Sequence, residues 1–329
     1  MKLPTITIVP GTTKLTFDNM PLWRGVQKSP SLTCSLPFVI VAEVGGQIKQ
    51  ILSESITDRV ISEYKSDDYN FITPPPGSSE WANSLGERNV KIIKGAIRDK
   101  YPKHILEIGG GTTWVSSKLM KLFRPNSYYA IDPALQAKNE KLNIIRDYFP
   151  TSKLKEKDFD LIVGFNVLEH VEDPLNFLKN IWKVLAEEGT VILTFPDCKE
   201  QFRKGDINVL IHEHLSYFTE ESVIWVTKSA DFEIVSLDSK NDLFTLVIEK
   251  TKKTFNLKNK NINETKLLQN SAEMFKNLLD NVAGKIKYFL EGDHKLAFHG
   301  ATHGLNTFFH ITGLGDHPNI SIFDGDKSK

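Results

Sequence analysis

The run His104-Ile-Leu-Glu-Ile-Gly-Gly-Gly-Thr112 carries an apolar stretch straight into three glycines and then into a helical pattern. Glycine turns the backbone tightly and lets a ligand lie against it with no Cβ in the way, so Gly109 and Gly111 are candidate ligand contacts. Glu107 stands just before them, where its carboxylate suits a ligand bearing an ammonium or sulfonium cation. About twenty residues further on, Asp132 follows the strand-like run Tyr128–Ile131, a position from which a carboxylate can accept from both hydroxyls of a ribose. A nicotinamide dinucleotide is a weaker fit, because its GxGxxG pattern needs a third glycine where this sequence has Trp114.

S-adenosylmethionine combines a ribose with a sulfonium and an ammonium, and is the expected cofactor. Two further residues fall at strand ends on the same reading. Asp147, after Leu142–Ile145, is placed for the adenine side, and Asn166, after Leu161–Phe165, for the methionine side. A second cluster, His212-Glu213-His214, comes soon after the strand Val191–Phe195. An imidazole near its neutral pKa can accept a proton, which makes this segment a candidate for general-base work. Metal binding is not expected. The spacing is not HExxH, and two histidines separated by one residue point oppositely on a strand and diverge on a helix.

The elements that must hold these residues follow from periodicity. From Asn89 to Glu249 apolar strands alternate with helical segments, which predicts an α/β fold with a doubly wound, mostly parallel sheet. Asp173-Pro174 reads as a helix start, an Asp to cap free N–H groups and a Pro already set to helical φ. Phe232–Leu237 and Phe244–Ile248 are too close for a parallel crossover and must form a terminal antiparallel hairpin. That ending is typical of the class I methyltransferase sheet. Residues 1–86 read as a small N-terminal region and 87–250 as the doubly wound domain. The segment 251–329 reads as a linker, a long amphipathic helix from Leu267 to Phe289, and a partial βαβ unit over Lys295–Phe323.

Composition narrows the classes. The 329 residues include 41 Lys and Arg against 41 Asp and Glu, without blocks of like charge, which argues against a nucleic-acid-gripping protein. The two cysteines, Cys34 and Cys198, form no CxxC pair, so neither a disulfide framework nor a cysteine-rich zinc site is expected, and a cytoplasmic setting fits. The longest apolar run, Leu36 to Val44, is broken by Glu43, and no membrane segment is expected.

With these residues the chain resembles a class I methyltransferase, and specifically the nucleotide-sugar C-methyltransferases that build branched deoxysugars. Glu107-Ile-Gly-Gly-Gly111 is similar to that family's first motif, and Asn166-Val-Leu-Glu-His-Val-Glu-Asp-Pro174 to its fourth-strand motif. His212-Glu-His-Leu-Ser-Tyr-Phe-Thr219 is similar to its active-site signature, and Phe298-His-Gly-Ala-Thr-His-Gly-Leu-Asn306 to the glycine-rich turn of its C-terminal domain. The resemblance implies that His214 is the base that removes a sugar proton next to a keto group, with Glu213 assisting. It further implies that His212, Tyr217 and Tyr69 contact the substrate, a nucleotide-linked keto-sugar. The family's four-cysteine zinc site has only Cys34 in this region, and Ile211 stands where the family places a tyrosine. Methylation of oxygen or nitrogen on a sugar or other cell-surface precursor is the neighbouring reading, and a non-catalytic accessory subunit of the same fold a third.

Overall fold

The computed structural model describes residues 5–23, 35–43, 47–64, 76–77, 79–98, 100–135, 141–251 and 264–324. Cys34 and Tyr69 lie outside these residues. The chain divides into two compact units, one from residues 1–72, 198–217 and 261–329, the other from 73–197 and 218–260. This division differs from three consecutive segments at 1–86, 87–250 and 251–329, because each unit collects sequence-distant strands into one sheet.

The second unit holds a seven-stranded sheet. Its parallel strands are β5 (His104–Ile108), β6 (Ser127–Ile131), β7 (Asn143–Ile145), β8 (Phe159–Phe165) and β9 (Leu185–Pro196). The hairpin β11 (Phe232–Ser239) and β12 (Leu243–Lys250) pairs antiparallel and joins the edge of β9, completing the order β11-β12-β9-β8-β5-β6-β7. The fold is therefore the doubly wound α/β sheet expected from the alternation. Residue parity decides which face each side chain covers. Leu106, Ile162 and Val191 pack with Phe177, Leu178 and Ile181 of α4 (Pro174–Val184) and Val223 and Val226 of α6 (Glu220–Ser229). Their neighbours Ile105, Leu161, Val163 and Ile192 point the other way, onto α2 (Glu80–Ile97) and α3 (Trp114–Phe123). Asp173 caps α4 by accepting from Asn176 N, with Pro174 in the first turn, as the sequence predicted. The helix α2 begins at Glu80, earlier than the Gly86 boundary, because Ala82, Gly86, Val90, Ile93 and Ile97 form one buried helical stripe.

The first unit is built on a five-stranded antiparallel sheet, in order β1 (Thr5–Val9), β2 (Thr12–Pro21), β3 (Ser35–Glu43), β4 (Ile48–Gln50) and β10 (Ser216–Tyr217). Leu15, Phe17, Phe38, Ile40 and Ile48 face one side and bury Leu268, Ala272, Phe275, Leu279 and Ile286 of the 28-residue helix α7 (Glu264–Glu291). The helices α1 (Glu54–Tyr64) and α5 (Lys199–Lys204) also belong here. The expected βαβ unit is present as β13 (Leu296–His299), α8 (His303–Thr312) and β14 (Ile320–Phe323), with the two strands parallel. No helix among the described residues is long and apolar enough to cross a membrane.

Candidate functional site

In the second unit the strand order reverses at β5, whose neighbours are β6 and β8. Ligands of open α/β sheets bind in the crevice at the carboxyl ends of strands where the order switches. Glu107 and the glycine loop, Asp132 and Asn166 end β5, β6 and β8 at that edge, and Asp147 follows β7. Gly109 has φ +78 and Gly111 φ +49, in the left-handed region that favours glycine. A Cβ on Gly109 would meet Val167 Cγ2 at 2.4 Å, so the loop lies flat against the chain after β8. Its N–H donates to the Ile131 carbonyl at 2.8 Å, and Gly111 N donates to Asp132 Oδ2 at 3.2 Å. Asp132 Oδ1 accepts from Ala134 N at 2.8 Å. The loop after β5 and the carboxylate after β6 thus form one hydrogen-bonded wall.

Glu107 is 2% exposed, and burial is the main reason its carboxyl is pushed up to about 7. Hydrogen bonds from Ser116 Oγ and from Tyr128 Oη, the latter at 2.7 Å, pull the other way, and the Asp132 charge adds to the rise. Burial raises Asp132 as well, against the two backbone N–H donors. Among the described residues no cation acts on either group. Two buried carboxyls without a counter-charge make a wall suited to a cation and unfavourable to an anionic dinucleotide.

Asp147 is occupied locally. It accepts from Thr151 Oγ1 at 2.8 Å and pairs with Lys153 at 3.0 Å, and these contacts hold its carboxyl below the usual range. Asn166 has φ +55, and its Nδ2 donates to Glu169 Oε1 at 3.2 Å. Trp114, where a dinucleotide fold would need glycine, opens α3 and lies on Gly86 of α2, where a Cβ would meet its ring at 2.6 Å.

The His212–His214 segment sits in the first unit. A turn donates His214 N to the Ile211 carbonyl at 3.0 Å, and the chain then enters β10, whose Tyr217 pairs with Ile48. The two histidines differ in burial, His212 being buried and His214 partly exposed. In place of a substrate contact, His212 is 2% exposed and meets the Phe38 ring edge-on at 5.1 Å. Tyr217 is also fully buried, and its hydroxyl donates to the Ile211 carbonyl at 3.4 Å, so it too serves the interior. Glu213 and His214 are partly exposed, and the His214 ring lies 6.3 Å from that of Tyr217. At the start of α8, His303 is buried and donates Nε2–H to the Leu210 carbonyl at 2.9 Å.

Burial pushes His212 down to about 4, with the nearby His303 contributing. Its folded-state pKa lies below the unfolded value, so the unfolded chain binds the extra proton between the two. Stability is then full above about pH 6.5 and falls as pH drops toward 4, by about 3 kcal/mol from this group. Thermal melts of the full chain from pH 8 to 4.5 should show a steeper acid loss for the native protein than for His212→Phe. Parallel curves would assign the loss to other groups.

Residues 84–237 match the family model described as a methyltransferase domain. This segment is a methyltransferase domain. No curated protein matches the chain. A protein from Pyrococcus horikoshii OT3 aligns over 53% of this chain and 93% of its own, with 14% identity and a TM-score of 0.44. Human N-acetylserotonin methyltransferase, solved with SAM, aligns over 51% and 54%, with 16% identity and a TM-score of 0.42. The plantazolicin methyltransferase BpumL, solved with a monoazolic analogue and SAH, aligns over 51% and 86%, with 14% identity and a TM-score of 0.42.

In the methyltransferase domain the structure brings Glu107, Gly109, Gly111 and Asp132 together on one wall, and seats Asn166 at the adjoining strand end. Sequence reasoning missed Ser116 and Tyr128, whose hydroxyls hold Glu107. It also missed Glu169, 2% exposed, raised by burial and with Oε2 lacking a partner among the described residues. Spacing held a signal for Ser116, nine residues after Glu107 and on the first turn of the helix that follows the loop. Nothing local marked Tyr128, which reads as an ordinary strand residue.

Proposed function

We propose that the protein transfers a methyl group from S-adenosylmethionine to a nucleotide-linked keto-sugar, with His214 as the general base. When bound, S-adenosylmethionine supplies an electrophilic methyl on a sulfonium. Asp132 accepts from the ribose hydroxyls, Glu107 faces the cationic part, and the glycine loop lets the backbone lie against it. Asn166 serves the methionine side and Asp147 the adenine side, the latter only if its contact with Lys153 opens. A carbon next to a carbonyl attacks a sulfonium methyl only as an enolate, so the acceptor must first lose a proton to a base. The remaining contribution is alignment of nucleophile and methyl.

The observation that supports this role for His214 is the difference in burial between the two histidines. His212 is turned into the core and held neutral, while His214 is partly exposed and rests on a buried tyrosine. Of the two imidazoles only His214 has a surface from which to meet an acceptor. Glu213, beside it, would orient the base or the substrate. Incubating the protein in D2O with a keto-sugar nucleotide and S-adenosylhomocysteine should wash deuterium into the carbon next to the carbonyl, read by mass spectrometry. Methyl uptake onto oxygen or nitrogen with no such exchange would replace this reading with heteroatom methylation.

A further inference from the structure

Both hydroxyl donors to Glu107 converge on the same oxygen. Ser116 Oγ, from the first turn of α3, and Tyr128 Oη, from the middle of β6, donate to Oε2, and no described residue bonds Oε1. Ser116 and Tyr128 are 0% and 1% exposed, so neither hydroxyl has water as an alternative partner. A carboxylate gripped through one oxygen from two elements cannot rotate, and its other oxygen is fixed in direction. We propose that Tyr128 and Ser116 are positioning residues of the methyl-donor site: by occupying Glu107 Oε2 they aim Oε1 at the cationic part of the ligand and keep the carboxylate charged. The inference rests on the reading that Glu107 faces the donor.

The physical case has two parts. A hydroxyl donating to a carboxylate favours its ionised form, and in a dry site the bond is stronger than in water. Burial works in the opposite direction, so without the two donors Glu107 would hold its proton at neutral pH and present no charge to a cation. The groups acting on it among the described residues are Ser116 from α3, Tyr128 from β6 and Asp132 from the loop after β6. Asp132 favours the protonated form by like-charge repulsion, so the two hydroxyls are the only groups of this set that favour charge.

The test is calorimetric titration with S-adenosylhomocysteine from pH 6 to 8.5, using Tyr128→Phe, Ser116→Ala and Glu107→Gln, each with a thermal melt to confirm folding. Tyr128→Phe keeps the buried ring and removes only the donor. It should weaken binding about tenfold at pH 7 and move the pH midpoint of affinity up by about one unit, with Ser116→Ala shifting it in the same direction. The loss should narrow at pH 8.5, where deprotonation restores the charge. Native affinity in Tyr128→Phe, or an equal loss at every pH, would overturn the positioning role. If Glu107→Gln itself binds as the native protein does with the same pH dependence, the reading of Glu107 as a donor contact fails, and the positioning role falls with it.

Discussion

Asp132→Ala is expected to lower affinity for S-adenosylhomocysteine a hundredfold or more in calorimetric titration of the full chain. Hydrogen bonds to a charged group contribute about 1.5–3 kcal/mol each, and two ribose hydroxyls meeting one carboxylate therefore account for at least about 3 kcal/mol. The side chain is 5% exposed, so solvent cannot substitute for it without opening the wall. Asp132 also accepts from Gly111 and Ala134, and its loss frees the loop that the ligand must lie against. Asp132→Asn separates these contributions. The amide keeps an acceptor for one backbone N–H but has no charge, and should fall between the native protein and the alanine variant. Affinity within twofold of native for Asp132→Ala would remove the residue from the site.

His214→Ala should leave S-adenosylhomocysteine affinity within twofold of native while lowering kcat by about two to four orders of magnitude, the range contributed by a positioned general base. The split arises because the two roles belong to different parts of the chain. The wall that carries Glu107 and Asp132 is built from the ends of β5 and β6, whereas His214 belongs to the unit whose sheet contains β10. His214 is not a core residue, so the substitution should not create the cavity that would follow at His212. Single-turnover transfer of a labelled methyl group to a keto-sugar nucleotide measures the loss. Retained turnover would place the base elsewhere. Glu169, whose buried Oε2 lacks a partner among the described residues, is the next residue to replace.

Much of the second unit was legible because its signals are local. A strand buried on both faces is a short apolar run, a helix on one face of a sheet repeats its apolar residues every three to four positions, and two strands joined by only a few residues have one way to pair. The Asp173-Pro174 start and the hairpin came from such rules. Glu107 and Asp132 were legible for the same reason, each following directly on a strand whose end lies at the sheet's carboxyl edge. The division into domains was less so. The segment 198–217 looks like part of the central run, yet its last residues pair with β4, far away in sequence, and strand pairing of that kind leaves no periodic trace.

The direction of individual side chains was the second loss. His212, Tyr217 and His214 form one polar group in the sequence, but β10 and its preceding turn put two of them into the core. Asp147 read as a ligand contact by its place after a strand, and the chain that follows supplied Thr151 and Lys153 to occupy it.

By itself, the sequence determined a doubly wound sheet, its carboxyl edge, and the acids that stand there, since all three depend on chain order and on periods of two and 3.6 residues. Only the tertiary structure decided which oxygen of Glu107 is engaged, that burial pushes its carboxyl pKa up to about 7, and which histidine stays partly exposed. Those properties depend on burial and on hydroxyls brought in from α3 and β6, and distances between elements are set by packing.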